Sequence, residues 1–307
     1  MSRYTGPIVD AHQHFWEPGL GRQPWLREGV AIPFRYGNYE ALKRDYLPPD
    51  LLKDAAGLDI VGTVTMETEW EESDPVGEIE YTEGIAGRFG LPTAAVAHAP
   101  LRDATVRKTL DALAAHDIVR AVRHKPGQAA GPEQASRPTL LSDPVWQRGF
   151  AALAAHGLGF ELQTAWWHLD EAAALFARHP RIPVVVNHAA LPSDRSPEAL
   201  AAWRAAIGRI ARLPHVSMKI SGIGLPGVAW TAENNRPIVE GVTDAFGTDR
   251  IMFASNFPVD SLTGSYTDIY GGFLDLTAGW SRAEQLAAFA GNAVRIYRLP
   301  ETLLANE

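Results

Sequence analysis

The chain has 307 residues, with 28 Lys and Arg against 36 Asp and Glu for a net charge of −8, and it has no cysteine. That excludes a disulfide framework, a Cys-ligated zinc or iron–sulfur site and a thiol nucleophile, and an acidic chain with no Lys/Arg cluster offers nucleic acid no phosphate-tracking stripe. At 46% hydrophobic and 21% charged residues, it has the make-up of a globular enzyme or binding protein for small molecules, not of a disordered segment.

In chain order, the first apolar, β-rich run is Ile8–His12. The stretch Phe15–Pro48 that follows is rich in aromatics, proline and glycine, and predicts a long loop over a barrel mouth. Helical runs at Leu51–Ala56 and Gly77–Phe89 flank a second strand, Ile60–Met66, and precede a third, Thr93–His98. A helix over Asp103–His116 leads to strand four, Ile118–His124. Gly127–Pro138 has the composition of a linker, but strands of the same kind continue on both sides, so it reads as a rim loop. Ser142-Asp143-Pro144 supplies a cap and a proline for a helix running to His156, and Gly157 ends it. Strands Leu158–Gln163, Pro183–His188, Val216–Ser221 and Arg250–Ser255 then alternate with helices Asp170–His179, Ser196–Leu213 and Glu233–Phe246, and Ser281 opens a last helix to Arg295.

The strands lack polar alternation, as strands buried on both faces should. Eight strand–helix units with right-handed crossovers close into a (β/α)8 TIM barrel, and the expectation is one domain over residues 1–307. No glycine-rich turn after strand one supports a doubly wound sheet. No run approaches the roughly 20 apolar residues of a membrane span, and no signal peptide is evident at the start. The expectation is a cytoplasmic protein whose partner is a small molecule, with no nucleic acid and no membrane; homo-oligomerisation is left open.

Active sites in such barrels lie at the C-terminal strand ends. Those ends carry His12 and His14, Glu67, His98, His124, Gln163, His188, Lys219 with Ser221, and Asn256. A lone histidine is more often a core or capping residue. Four of the ten histidines closing predicted strands at one end is a different matter. In extended backbone His12 and His14 point to the same face and converge on one metal or one substrate oxygen. Trp16 is an aromatic candidate for the pocket wall, and Gln163 and Lys125 are further candidates for substrate binding.

The motifs VDAHQHFWEPG, RHKPG, NHAALP, MKISG, FASNFPVD and GNAVRIYRL occur in order from Val9 to about Leu299. Together they resemble the amidohydrolase-related branch of the amidohydrolase superfamily, which includes lactonases acting on L-fucono-, L-rhamnono- and 2-pyrone-4,6-dicarboxylate lactones. The resemblance implies a hydrolase that opens a lactone by attack of water. It places His12 and His14 in the HxH pair, His124 at strand four and His188 at strand six. It also implies an aspartate at strand eight, where this chain has Asn256, an amide that does not titrate.

The implied cofactor is at most one divalent metal, zinc first, on His12, His14 and His188; a metal-free mechanism stays open. With Asn256 unable to take a proton, Glu67 is the first candidate base and His188 the second, with Glu69 and Asp260 also near strand ends. The alternative for Glu67 is an ion pair with Arg or Lys at the mouth. Lys125 is a candidate to hold a substrate carboxylate or an oxyanion. Two rival expectations keep the fold: a lactone isomerase or decarboxylase, and an inactive barrel that only binds its ligand.

Overall fold

A computed structural model describes residues 3–305. The eight apolar runs are strands β1 (Ile8–Gln13), β2 (Ile60–Met66), β3 (Ala94–His98), β4 (Val119–Arg123), β5 (Gly159–Leu162), β6 (Val184–Val186), β7 (Val216–Ile220) and β8 (Ile251–Phe253). They pair in parallel in chain order. One rung runs Val122, Phe160, Val184, Val216 across four strands. Strands β4 to β8 end a residue or two before the predicted limit, so the polar residue closing each of those runs sits just past the last paired position, on the rim.

The seam between β8 and β1 is closed at that rim. Asn256 N donates to His12 O and His14 N donates to Phe257 O, each at 2.8 Å. The buried Asp10 carboxylate reinforces the seam, accepting from Ser255 N, Ser255 Oγ and Tyr266 Oη. The residues that close the barrel are thus the residues that build its mouth.

Helices α1 (Pro48–Asp54), α2 (Pro75–Phe89), α3 (Val106–Ala114), α4 (Pro144–His156), α5 (Leu169–Phe176), α6 (Pro197–Ile210), α7 (Ala232–Phe246) and α8 (Tyr266–Leu276) follow the strands. Asp143 caps α4 by accepting from Val145 N and Trp146 N, and Gly157 ends it in the left-handed conformation at φ 64°, as the local sequence predicts. The eighth helix is not the predicted one. Tyr266–Leu276 holds that place, although Gly271-Gly272 lowers its helix propensity. The reason is tertiary: the Trp230 ring lies so close to Gly272 that a Cβ there would collide with it.

The segment predicted as one helix from Ser281 is instead α9 (Arg282–Leu286), a π-turn at Ala287–Gly291 and α10 (Asn292–Ile296). It closes the floor of the barrel. Asn292 Nδ2 donates to Thr248 O and Ile251 O, and Ala290, Ala293, Val294 and Tyr297 pack with Val9, Val64, Val96 and Met252 from the strands.

The stretch Phe15–Pro48 crosses the mouth as expected. Trp16 and Tyr46 exchange backbone hydrogen bonds at 3.1 and 2.9 Å, and Trp25 stacks on Phe34 with ring centres 5.7 Å apart. Among the described residues, no helix is long and apolar enough to cross a membrane.

Candidate active site

Three imidazoles meet at the mouth. The His12 ring lies 5.3 Å from that of His14 and 4.5 Å from that of His188. Burial is the main cause that lowers the proton affinity of all three, with His14 at about 3 and His12 and His188 well below the usual histidine value. Arg123 adds to the effect at His14, His188 at His12, and Arg35 at His188. All three are therefore neutral at physiological pH. His14 Nδ1 lies 3.2 Å from Met66 O and His188 Nδ1 lies 2.9 Å from Ser221 Oγ, which leaves both Nε2 atoms free. Both ring nitrogens of the fully buried His12 lack a partner.

The backbone around them is strained. His188 to Leu191 form a run of four residues with positive φ, and Asn256 and Glu69 share that conformation at φ 56°. Trp203 Nε1 holds the run by donating to Ala189 O at 2.8 Å. Gly222 is required beside it, because a Cβ would strike the His188 ring.

On the β8 side, Asn256 Nδ2 donates to Asp260 Oδ1 at 2.6 Å, and Tyr36 Oη from the mouth loop donates to the same oxygen at 3.0 Å. Burial pushes the Asp260 carboxyl up to about 6, against the opposing effects of Arg35, Asn256 and Tyr36. The β2 side is built differently. Arg123 Nε donates to Glu67 Oε1 at 2.6 Å, Nη2 donates to Glu67 O and Nη1 to Gln163 Oε1, each at 3.0 Å. Burial raises the Glu67 carboxyl, but Arg123 and Lys125 more than offset it and hold it below the usual carboxylate range. Glu67 is thus in the ion-paired state that had stood as the alternative to a base.

A cavity of about 230 Å³ gathers most of the expected residues: His14, His188, Asn256, Glu67, Lys125, Trp16 and Gln163 line it. His12 lies beneath its wall. His124 faces a neighbouring cavity with His98, and its Nδ1 is taken by two donors, Leu101 N at 2.9 Å and Trp146 Nε1 at 3.1 Å. Burial, then His98, lowers its proton affinity to about 4. Lys125 is paired with Glu69 across the mouth.

Sequence reasoning assigned no role to Arg123, Arg35 or Tyr36. Nor did it pair Glu161 with Lys219, which meet in the barrel interior at 3.1 Å. Tyr297 and Asn187 also donate to Glu161, and burial lowers Lys219 to about 8 against the pull of that carboxylate. The available signal was a lone charge inside an otherwise uncharged strand, Glu161 in β5 and Lys219 in β7; Arg123 shares β4 with Arg120 and did not stand out.

The donor chemistry suits a divalent ion, with three neutral imidazoles, two of them fixed through Nδ1 and one with no partner. The strand-eight amide adds no charge. Among the described residues, no three His, Asp or Glu side chains are disposed to hold one ion.

An eight-stranded parallel barrel with imidazoles gathered at its C-terminal mouth has the architecture of a barrel enzyme with its site at the strand ends. Residues 9–299 match the amidohydrolase family, and the chain belongs to it. It is 35% identical to an uncharacterised protein of Sinorhizobium fredii, over 95% of this chain and 98% of that one. It is 31% identical to the L-fucono-1,5-lactonase of Burkholderia multivorans, over 95% of this chain and 96% of the relative. The crystal structure of an amidohydrolase from Burkholderia multivorans with bound zinc superposes at a TM-score of 0.78 and 27% identity, covering 96% of this chain and all of that one.

Proposed function

We propose that this hydrolase opens a lactone, in the sugar-acid or carboxylated class, by attack of water on the ring carbonyl. The observation that carries the reading is the group of neutral His12, His14 and His188 with Asn256 at a small cavity walled by Arg35 and Lys125. The 31% identity to an L-fucono-1,5-lactonase over almost the whole chain supports it.

His12, His14 and His188 offer the kind of neutral donor a divalent ion takes, but as arranged they form no group that could hold one ion, so every step of this reading is assigned to side chains. Asn256 donates its amide hydrogen to Asp260, so its carbonyl oxygen is left to accept from the attacking water. Asp260 stands in for the missing strand-eight aspartate in this reading. It lies four residues on, and at about 6 its proton affinity suits a base near neutral pH. It receives the proton through one water held at the Asn256 amide. Negative charge developing on the carbonyl oxygen is offset by Lys125 and Arg35 on the cavity wall. The carbon–oxygen ring bond then breaks, the ring oxygen takes the proton, and a hydroxy acid leaves.

A panel of aldonolactones and carboxylated lactones, followed by acid release and by product mass in isotopically labelled water, tests the reading. Hydrolysis places one solvent oxygen in the product. An unlabelled isomer or released carbon dioxide, with no lactone opened, would sink it.

A further inference from the structure

Beside the first cavity lies a second, of about 490 Å³, lined by Pro24, Val30, Trp70, Glu72, His98 and His124. The two share a wall made of Trp25, Ile32, Glu67, Glu69 and Lys125. The outermost part of that wall is the Lys125–Glu69 ion pair, whose side chains are 35% and 49% exposed. A pair so exposed contributes little and yields easily to a ligand. The first cavity, at 230 Å³, is smaller than the roughly 300 Å³ at which ordinary small-molecule sites begin, whereas the second falls inside that range.

The two cavities differ in charge. Arg35, Arg123 and Lys125 face Glu67 and Glu69 in the first, while Lys125 alone faces Glu67, Glu69 and Glu72 in the second. An anionic group or developing oxyanion therefore belongs in the first, and the second disfavours one. The second offers groups suited to hydroxyls. His124 Nδ1 is already an acceptor for two donors, so the neutral ring carries its proton on Nε2, ready to donate. His98 Nε2 is buried without a partner, and Glu72 is an acceptor. Trp25, stacked on Phe34 and fixed by its Nε1 donating to Thr68 O at 2.9 Å, and Trp70, packed on Tyr81 with Arg22 over its ring, put aromatic surface in the lining for the apolar side of a ring.

We infer that the second cavity is a subsite for a neutral, hydroxyl-rich ring, so that the substrate class is a lactone carrying a second sugar ring. The inference rests on the lactonase reading and extends it past the reacting ring. Its test compares kcat/KM for single-ring aldonolactones with that for disaccharide aldonolactones, cellobionolactone and lactobionolactone. The expected result is a preference of about tenfold or more for two rings. Trp70→Ala and Glu72→Gln should each erode that preference through KM for the two-ring lactones, and Trp70→Phe, which keeps the packing on Tyr81, should retain it. Equal kcat/KM for the two sizes, or a preference untouched by both Trp70→Ala and Glu72→Gln, overturns the subsite. If lactones of neither size are opened, the lactonase reading fails and calorimetric titration with cellobionate decides the subsite separately. Binding that Trp70→Ala and Glu72→Gln weaken supports it, and absence of binding overturns it.

Discussion

Glu67 and Asp260 are both buried carboxylates at the barrel mouth, on opposite sides of the imidazole cluster, yet their proton affinities diverge. Glu67 is answered by a guanidinium that is itself buried, and burial loses to the nearby charge. Asp260 accepts hydrogen bonds from an amide and a phenol, and Arg35 acts on it without forming an ion pair, so burial wins and the group rises to about 6. The same residue class at equivalent rims becomes a fixed anion in one place and a proton acceptor in the other. What decides is the partner that a distant strand or loop supplies.

The largest expected effect comes from breaking the Glu67 side. Arg123→Ala leaves a buried carboxylate without its ion-pair partner, with only the partly exposed Lys125 charge nearby, and frees Gln163 as well, so stability should fall by about 3–5 kcal/mol in chemical denaturation. A loss under about 1 kcal/mol would mean the pair is not the anchor its geometry describes. Next is Asp260→Asn, which retains an acceptor for Asn256 and Tyr36 but cannot take a proton. We expect kcat to drop about 100-fold with the melting temperature nearly held. The exchange of roles in Asn256→Asp with Asp260→Asn should recover part of that loss. Should Asp260→Asn keep full activity, the contrast between the two carboxylates would have no catalytic meaning.

The barrel was legible because each buried strand is written in short apolar runs, and the polar residue ending each run marked the rim. His12 and His188 could be collected by that rule, and His14 by its spacing of two residues from His12. Helix Tyr266–Leu276 could not, since it depends on Trp230 packing against Gly272, one of two glycines that propensity counts against a helix. The state of Glu67 was also out of reach, because the residue that decides it lies 56 positions away. Tyr36 and Asp260 are 224 positions apart, and nothing local in the mouth loop announces their bond. His124 satisfied the strand-end rule yet turned to the neighbouring cavity, while Arg123 before it faces the first. Strand-end position says which rim a residue occupies; successive residues on a strand face opposite ways, and the cavity reached follows from that.

Smaller effects sharpen the comparison at its edges. Gly222→Ala forces a side chain into positive φ at 56° and against the His188 ring, so it should cost about 1–3 kcal/mol and lower kcat by displacing that imidazole. A variant that melts lower but keeps the parent kcat would show that His188 need not be held so tightly.

A third buried carboxylate, Glu78, borders Glu67 and tests what happens when no cation is left over. Thr68 N and Thr68 Oγ1 both donate to its Oε1 at 2.7 Å. Burial first, and the neighbouring Glu67 charge second, raise it to about 8, with Thr68 and Arg123 opposing. Its folded proton affinity lies above the ordinary 4.5, so the native state keeps a proton that the unfolded chain releases. That contribution to stability is complete below the unfolded value, shrinks as pH rises towards 8, and is gone above it. Glu78→Gln keeps an acceptor for Thr68 and removes the titration. Stability of the parent relative to Glu78→Gln should therefore fall from pH 5 to pH 8, by at most about 1.4 kcal/mol per pH unit, and level off beyond. Urea unfolding of both proteins across that range measures it. Parallel curves would mean that Glu78 is not raised in the folded state, so that neither its burial nor the neighbouring Glu67 charge acts on it as the surroundings imply.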